Sequence, residues 1–145
     1  MAALLQTSKQ GLASILYMKP IAARYTTFHV PKKQGGSRLI KAPDDKLKLL
    51  QYKLSLLLQD CLDEITDAKQ VRDTIAHGFR RQRSIITNAK LHRNRRWVFN
   101  VDLADFFPSI HFGRVRGFFL KDKNFLLNEK VATVLAQIAC DGTAL

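Results

Sequence analysis

The period of the apolar residues changes several times along the chain, and each change predicts an element. Leu4, Leu5, Leu12, Ile15 and Leu16 fit one broad helix face, which Lys19-Pro20 ends because proline cannot continue a helix. "YTTFHV" at 25–30 is aromatic and β-branched and predicts a strand; "LIKA" at 39–42 predicts its return, with Gly35-Gly36 as the hairpin turn. Pro43-Asp44-Asp45 then suits a helix first turn. Leu47, Leu50, Leu54, Leu57, Cys61 and Ile65 follow at helical spacing, a core stripe. A turn at Gly78 and a short helix capped by Ser84 come next. "WVFNVDL" at 97–103 predicts a buried strand. "SIHFGRVRGFFL" and "NEKVATVLAQIAC" predict two more helices, the last amphipathic through Val131, Val134, Leu135 and Ile138. Helix, hairpin, helices, strand, helices is an α+β order.

One position disturbs that pattern. Asp102 follows at once on the apolar run 97–101, and an unpaired carboxylate in apolar surroundings costs several kcal/mol, on the order of other buried charges. Asp105 offers no help on a continuing strand, because residues three apart point to opposite faces. From spacing alone two readings stand. Asp102 ends the strand and meets Mg²⁺, which takes one or two carboxylates plus substrate phosphates, or it pairs with one of the many arginines.

Charge changes the picture more than composition does. In 145 residues, 24 Lys and Arg stand against 12 Asp and Glu, a net charge of +12. A field of that sign favours polyanions, nucleic acid before an anionic membrane surface. The apolar fraction, 46%, is that of a globular domain rather than a disordered chain. Cys61 and Cys140 match no metal spacing or disulfide framework and suit a reducing compartment. His29, His77, His92 and His111 form no zinc-type cluster. No run of 18 apolar residues occurs, so no membrane-spanning helix is predicted. Residues 1–43 carry seven Lys and Arg and no acid, yet lack the Arg- and Ser-rich amphipathic character of a transit peptide. A cytoplasmic location is the expectation.

The cations are grouped. Lys32, Lys33 and Arg38 flank the Gly-Gly turn, where a permissive backbone lets a loop close over a triphosphate. Residues 69–96 carry nine Lys and Arg against the single acid Asp73, with Phe79 among Arg80, Arg81 and Arg83. Cations around an aromatic platform suit a single strand with a stacked base. A solvated surface is the alternative for both groups.

Taken in order, "FHVPKKQGGSRLIKAP", "LKLLQYKLSLLL", "AHGFRRQRSIITNAKLH" and "VFNVDLADFFPSI" closely resemble the N-terminal half of bacterial reverse transcriptases. The retron type is nearest and the group II intron enzymes are related; the resemblance covers roughly residues 10–145. It implies that Asp102 is the catalytic aspartate of the first palm motif and binds both Mg²⁺ ions. The backbone carbonyl of Leu103 then helps hold the nucleotide-bound metal. Lys32, Lys33 and Arg38 match the hairpin that grips the triphosphate, and Phe107 the residue under the incoming sugar that excludes a 2′-hydroxyl. Gly78, Phe79, Arg80, Arg83, Ser84, Asn88 and His92 fall in or beside the "GF…RS…NA..H" signature that lines the template path and nucleotide pocket.

The resemblance further implies the fingers and first palm strand of a right-hand polymerase, cut before the rest of the palm and the thumb. On that reading residues 1–24 are an N-terminal helix, 25–95 the fingers, and 96–145 an incomplete palm. Its implied partners are an RNA template, a DNA or RNA primer, dNTPs and a structured non-coding RNA, in a retron or antiviral defence setting. Two-metal transfer needs further carboxylates, which the family draws from a YxDD hairpin not found in these residues, so the chain alone is expected to be inactive. A non-catalytic basic RNA-binding module is the competing class. A membrane-surface protein is disfavoured, because the cations sit in turns and loops rather than along one helix face.

Overall fold

A computed structural model of the chain describes residues 1–33, 35–70 and 75–145. Gln34 of the hairpin turn, and Arg72 and Asp73 of the basic block, lie outside the described residues. Helix α1 is Lys9–Tyr17 and starts later than the apolar pattern predicts. Ser8 decides this: its hydroxyl accepts from the Gly11 N–H at 2.9 Å and leaves residues 2–6 as turns. Leu5 and Leu16 are buried all the same, while Leu4 is exposed.

A short 3-10 turn, Ile21–Arg24, leads into the hairpin β1 (Tyr25–Pro31) and β2 (Ser37–Pro43). The register sets Phe28 opposite Ile40 and Val30 opposite Arg38. Gly35 and Gly36 take φ of 90° and 79°, where an L side chain is strained, so the Gly-Gly pair makes this turn. Pro43 closes β2 opposite Tyr25 instead of opening the next helix. Asp44 takes that part: its carboxylate accepts from the Leu47 N–H at 2.9 Å and caps α2 (Asp45–Lys69). That bond, with Lys19 beside it, holds the Asp44 carboxyl below the ordinary aspartate range.

Two units divide the chain. One comprises residues 1–55 and 106–145, the other 56–105. In the first, Leu47, Leu50 and Leu54 of α2 are buried together with Phe119 of α4 (Phe112–Lys121) and Ala132, Leu135, Ala136 and Ile138 of α5 (Glu129–Ala139). The α4–α5 pair is pinned by Arg116, which donates to Thr133 Oγ1 at 2.9 Å and lies 3.5 Å from Glu129. Gln51 Nε2 donates to the Ile138 carbonyl at 2.9 Å and joins α2 to α5. The last residues fold back: the Phe112 N–H donates to the Thr143 carbonyl at 2.8 Å. Asp141 accepts from Lys41 of β2 and from Thr143, and these bonds lower its pKa to about 2.

The second unit contains the lower half of α2, where Leu57, Cys61 and Ile65 are half-buried, and α3 (Ile85–Leu91). None of its described residues is fully buried. The strand predicted at 97–103 is not formed. A strand is held by backbone bonds to a neighbour, and among the described residues β1 and β2 make the only sheet. The run is therefore irregular, with Trp97 82% and Phe99 89% exposed. Cys61 and Cys140 are both free thiols. No helix among the described residues is long and apolar enough to cross a membrane.

Candidate nucleotide and nucleic-acid interface

In the first unit, the hairpin collects the three cations expected around its turn. Lys32, Lys33 and Arg38 line an open cleft of about 380 Å³ with Val30, Pro31 and Ile40. Cross-strand pairing explains the grouping. Arg38 lies directly opposite Val30, and the Lys32 N–H donates to the Gly36 carbonyl at 3.0 Å, which folds the lysines back toward β2. Its lining combines three cations with three apolar side chains, a composition that can meet an anionic group. Phe107 also belongs to this unit. It is half exposed and meets Phe106 edge to face at 5.3 Å, in a turn closed by the Ile110 N–H on the Phe107 carbonyl at 3.0 Å.

The second unit holds the remaining predicted residues, and several have structural partners. Ser84 caps α3 through a reciprocal box: the Thr87 N–H donates to Ser84 Oγ at 3.3 Å, and the Ser84 N–H donates to Thr87 Oγ1 at 2.8 Å. Thr87 Oγ1 also lies 2.9 Å from His77 Nδ1. Arg83 donates to the Ala76 carbonyl. Arg80 is 13% exposed at its side chain and faces Asp63 at 3.6 Å. Arg81 is held more firmly. Its N–H donates to Gln59 Oε1 at 2.9 Å, and its guanidinium reaches Asp60 and the Leu56 carbonyl.

Asp60, Asp63 and Gln59 thus answer the basic block, which the sequence reading weighed against Asp73 alone. An acidic pair three residues apart on α2, off the apolar stripe, was the signal that could have revealed them. The loop they hold includes Phe79 and Gln82 at φ of 58° and 59°, and it leaves the Phe79 ring 90% exposed. Asn88 and His92, with Ile85, Ile86, Arg93 and Val98, line a second open cleft of about 620 Å³. Arg93 belongs to the basic block expected to meet a single strand, whereas Ile85 and Ile86 had no predicted role.

Asp102 and Leu103 lie on the exposed run that ends this unit. Asp102 forms no ion pair among the described residues, so the arginine reading of its charge is not realised there. Asp105 sits at φ 49°, in the left-handed region rather than on a continuing strand. No group of three His, Cys, Asp or Glu able to hold a metal ion occurs among the described residues. One carboxylate and one adjacent backbone carbonyl are hard oxygen donors of the kind Mg²⁺ takes, and they suit a single ion completed by phosphates and water.

Among known proteins, the chain is similar to several retron reverse transcriptases. The retron Mx65 reverse transcriptase of Myxococcus xanthus is 47% identical over 93 residues, 64% of this chain and 20% of the relative. The retron Mx162 reverse transcriptase of the same organism is 34% identical over 120 residues, 83% of this chain and 22% of the relative. The retron Ec86 reverse transcriptase of Escherichia coli is 32% identical over 119 residues, 81% of this chain and 34% of the relative. By sequence, then, the chain belongs with the reverse transcriptases. Within that class it belongs to the retron type, as the order of its motifs implied. It spans 20% to 34% of the length of these relatives. No family model and no solved structure matches it.

Proposed function

We propose that the chain supplies the fingers and the start of the palm of an RNA-directed DNA polymerase of a retron system. The observation that carries this reading is the similarity to several retron reverse transcriptases across most of a chain whose four motifs keep family order. In the proposal, Lys32, Lys33 and Arg38 hold a dNTP triphosphate at the hairpin cleft, and Phe107 lies under its sugar. Phe79 offers a stacking face to an RNA template, Asn88 and His92 line its path, and Ser84 keeps α3 in place beneath them. Arg80 and Arg83 steady the same loop from inside. Asp102 and the Leu103 carbonyl hold Mg²⁺, while a second ion needs carboxylates beyond this pair. Held there, Mg²⁺ would lower the pKa of a primer 3′-hydroxyl and offset the charge of a departing pyrophosphate.

The test has two arms. Purified chain with a primer, an RNA template, dNTPs and Mg²⁺ should incorporate nothing, and incorporation would overturn the proposed need for further carboxylates. In a longer polypeptide carrying this sequence and active in the same assay, Asp102→Asn should abolish synthesis and leave RNA affinity unchanged or higher. Undiminished synthesis would remove Asp102 from the metal site.

A second reading, a non-catalytic RNA-binding module, is favoured by one observation. Arg93, Arg95 and Arg96 form no ion pair among the described residues, and Arg96 lies over the exposed Trp97 ring at 5.7 Å. Cations beside exposed aromatic rings bind single strands without catalysis. Strong, salt-dependent RNA binding by a longer polypeptide that carries the YxDD carboxylates yet performs no synthesis would select this reading.

A further inference from the structure

Arg24 is a charged residue withdrawn from solvent in the first unit, at 9% exposure. Its Nε donates to the Lys19 carbonyl at 3.2 Å, and no carboxylate comes within ion-pair distance of it among the described residues. The acids nearby are already engaged. Asp44, whose N–H donates to the Arg24 carbonyl at 2.7 Å, is held by Lys19 at 3.2 Å; Asp141 is held by Lys41. No side-chain nitrogen among the described residues is buried without a partner, so the rest of the Arg24 fork keeps access to solvent. A guanidinium largely withdrawn from water without an anion is still costly.

Arg24 also lines a cleft of about 360 Å³, and it is the charged member of that lining. Leu16, Ile21 and Phe112 supply apolar wall, and Tyr17 and Gln137 supply a polar edge already joined by a 2.8 Å hydrogen bond. Gly142 completes the wall at φ 107°; a Cβ there would stand 2.9 Å from Ile21 Cδ1. One planar fork in an apolar recess fits one planar, singly charged group. A phosphate dianion could take the same fork, but its second negative charge would meet no second cation in this lining.

We propose that this cleft binds a carboxylate carried on a short apolar stem, with Arg24 as its anchor. The carboxylate belongs to a free acid or to a polypeptide. The site stands apart from the polymerase reading, since nothing in it depends on nucleotide or template.

The test is a titration of the 145-residue chain followed at the Arg24 Nε–H and Ile21 methyl NMR signals. Sodium butyrate should shift both saturably, in the millimolar range expected of so small a ligand, and neutral butyramide should not. Arg24→Lys keeps the charge but loses the fork and should weaken butyrate about tenfold. Ile21→Trp fills the recess, should abolish binding, and serves where the arginine variant does not fold. The acetylated dipeptide Ala-Leu, as acid and as amide, separates the sources: an acid form tighter than butyrate assigns a polypeptide, and an equal or weaker one a free acid. The proposal is overturned by absence of saturable shifts, by Ile21→Trp binding as wild type does, or by inorganic phosphate saturating the same signals at lower concentration than butyrate.

Discussion

The unit made of residues 1–55 and 106–145 hides Leu5, Leu16, Leu47, Leu135 and Ile138, whereas the unit of residues 56–105 displays Phe79, Ile85, Trp97 and Phe99. The first is held by an apolar core with polar bonds at its margins. In the second, the described bonds that fix local geometry are polar: the Arg81 network on α2, the Ser84–Thr87 box and the His77–Thr87 contact. Apolar burial contributes roughly 25 cal/mol per Å² and tolerates small shifts. A surface ion pair contributes about 1 kcal/mol or less but requires a given geometry. The residues proposed to line a template path thus stand on the unit with less buried apolar surface and more directional bonding. Its local openings are expected at lower free energy than global unfolding.

The largest test of this contrast is a pair of truncations. Leu47→Ala should destabilise the chain by about 2–5 kcal/mol, by lost transfer energy and a cavity. Ile85→Ala, on an exposed residue, should stay within about 0.5 kcal/mol. Equal losses in urea denaturation would show that the second unit has a core of its own.

Asp141 tests a polar margin of the first unit. Its folded pKa of about 2 lies below the ordinary 3.8, so its contribution is complete above about pH 4 and fades as pH falls toward 2. A pKa unit corresponds to about 1.4 kcal/mol. Lys41 is half exposed and solvent screens part of this. Asp141→Asn should therefore cost about 1–2 kcal/mol at neutral pH and flatten the stability profile between pH 4 and 2; an unchanged profile would remove Asp141 as the acid-sensitive tie.

Ser84→Ala in the second unit should cost about 1 kcal/mol and speed amide exchange in α3 with little change in α5. Equal acceleration in both helices would mean the units open together. The smallest effect concerns binding. Lys32→Ala and Lys33→Ala should each lower the slope of log RNA or dNTP affinity against log salt by up to about one, leaving stability unchanged. An unaltered slope would leave the hairpin as solvated surface.

The elements legible in the sequence were those decided within a few residues. Gly35-Gly36 demanded a turn, the 47–54 stripe demanded a buried helix face, and Ser84 stood where a cap of α3 was needed. The errors fell where a distant or directional partner decides. Ser8 outcompeted the Leu4–Leu5 pattern for the start of α1, and Asp44 rather than Pro43 opened α2. The apolar run 97–103 reads as a strand, yet a strand is a relation between two segments, and no described residue takes the other side.

The sequence by itself determined the α+β character, the positive charge, the paired cations of the hairpin and the membership in the retron reverse transcriptases, because these depend on composition, spacing and motif order. Only the tertiary structure decided which charges are engaged. Arg80 and Arg81 turn to acids on α2, Asp141 reaches back to Lys41, and Arg24 is buried with a carbonyl and no carboxylate. Coulomb attraction and desolvation both depend on distance and burial, and the chain sets those when it folds rather than by the order of its residues.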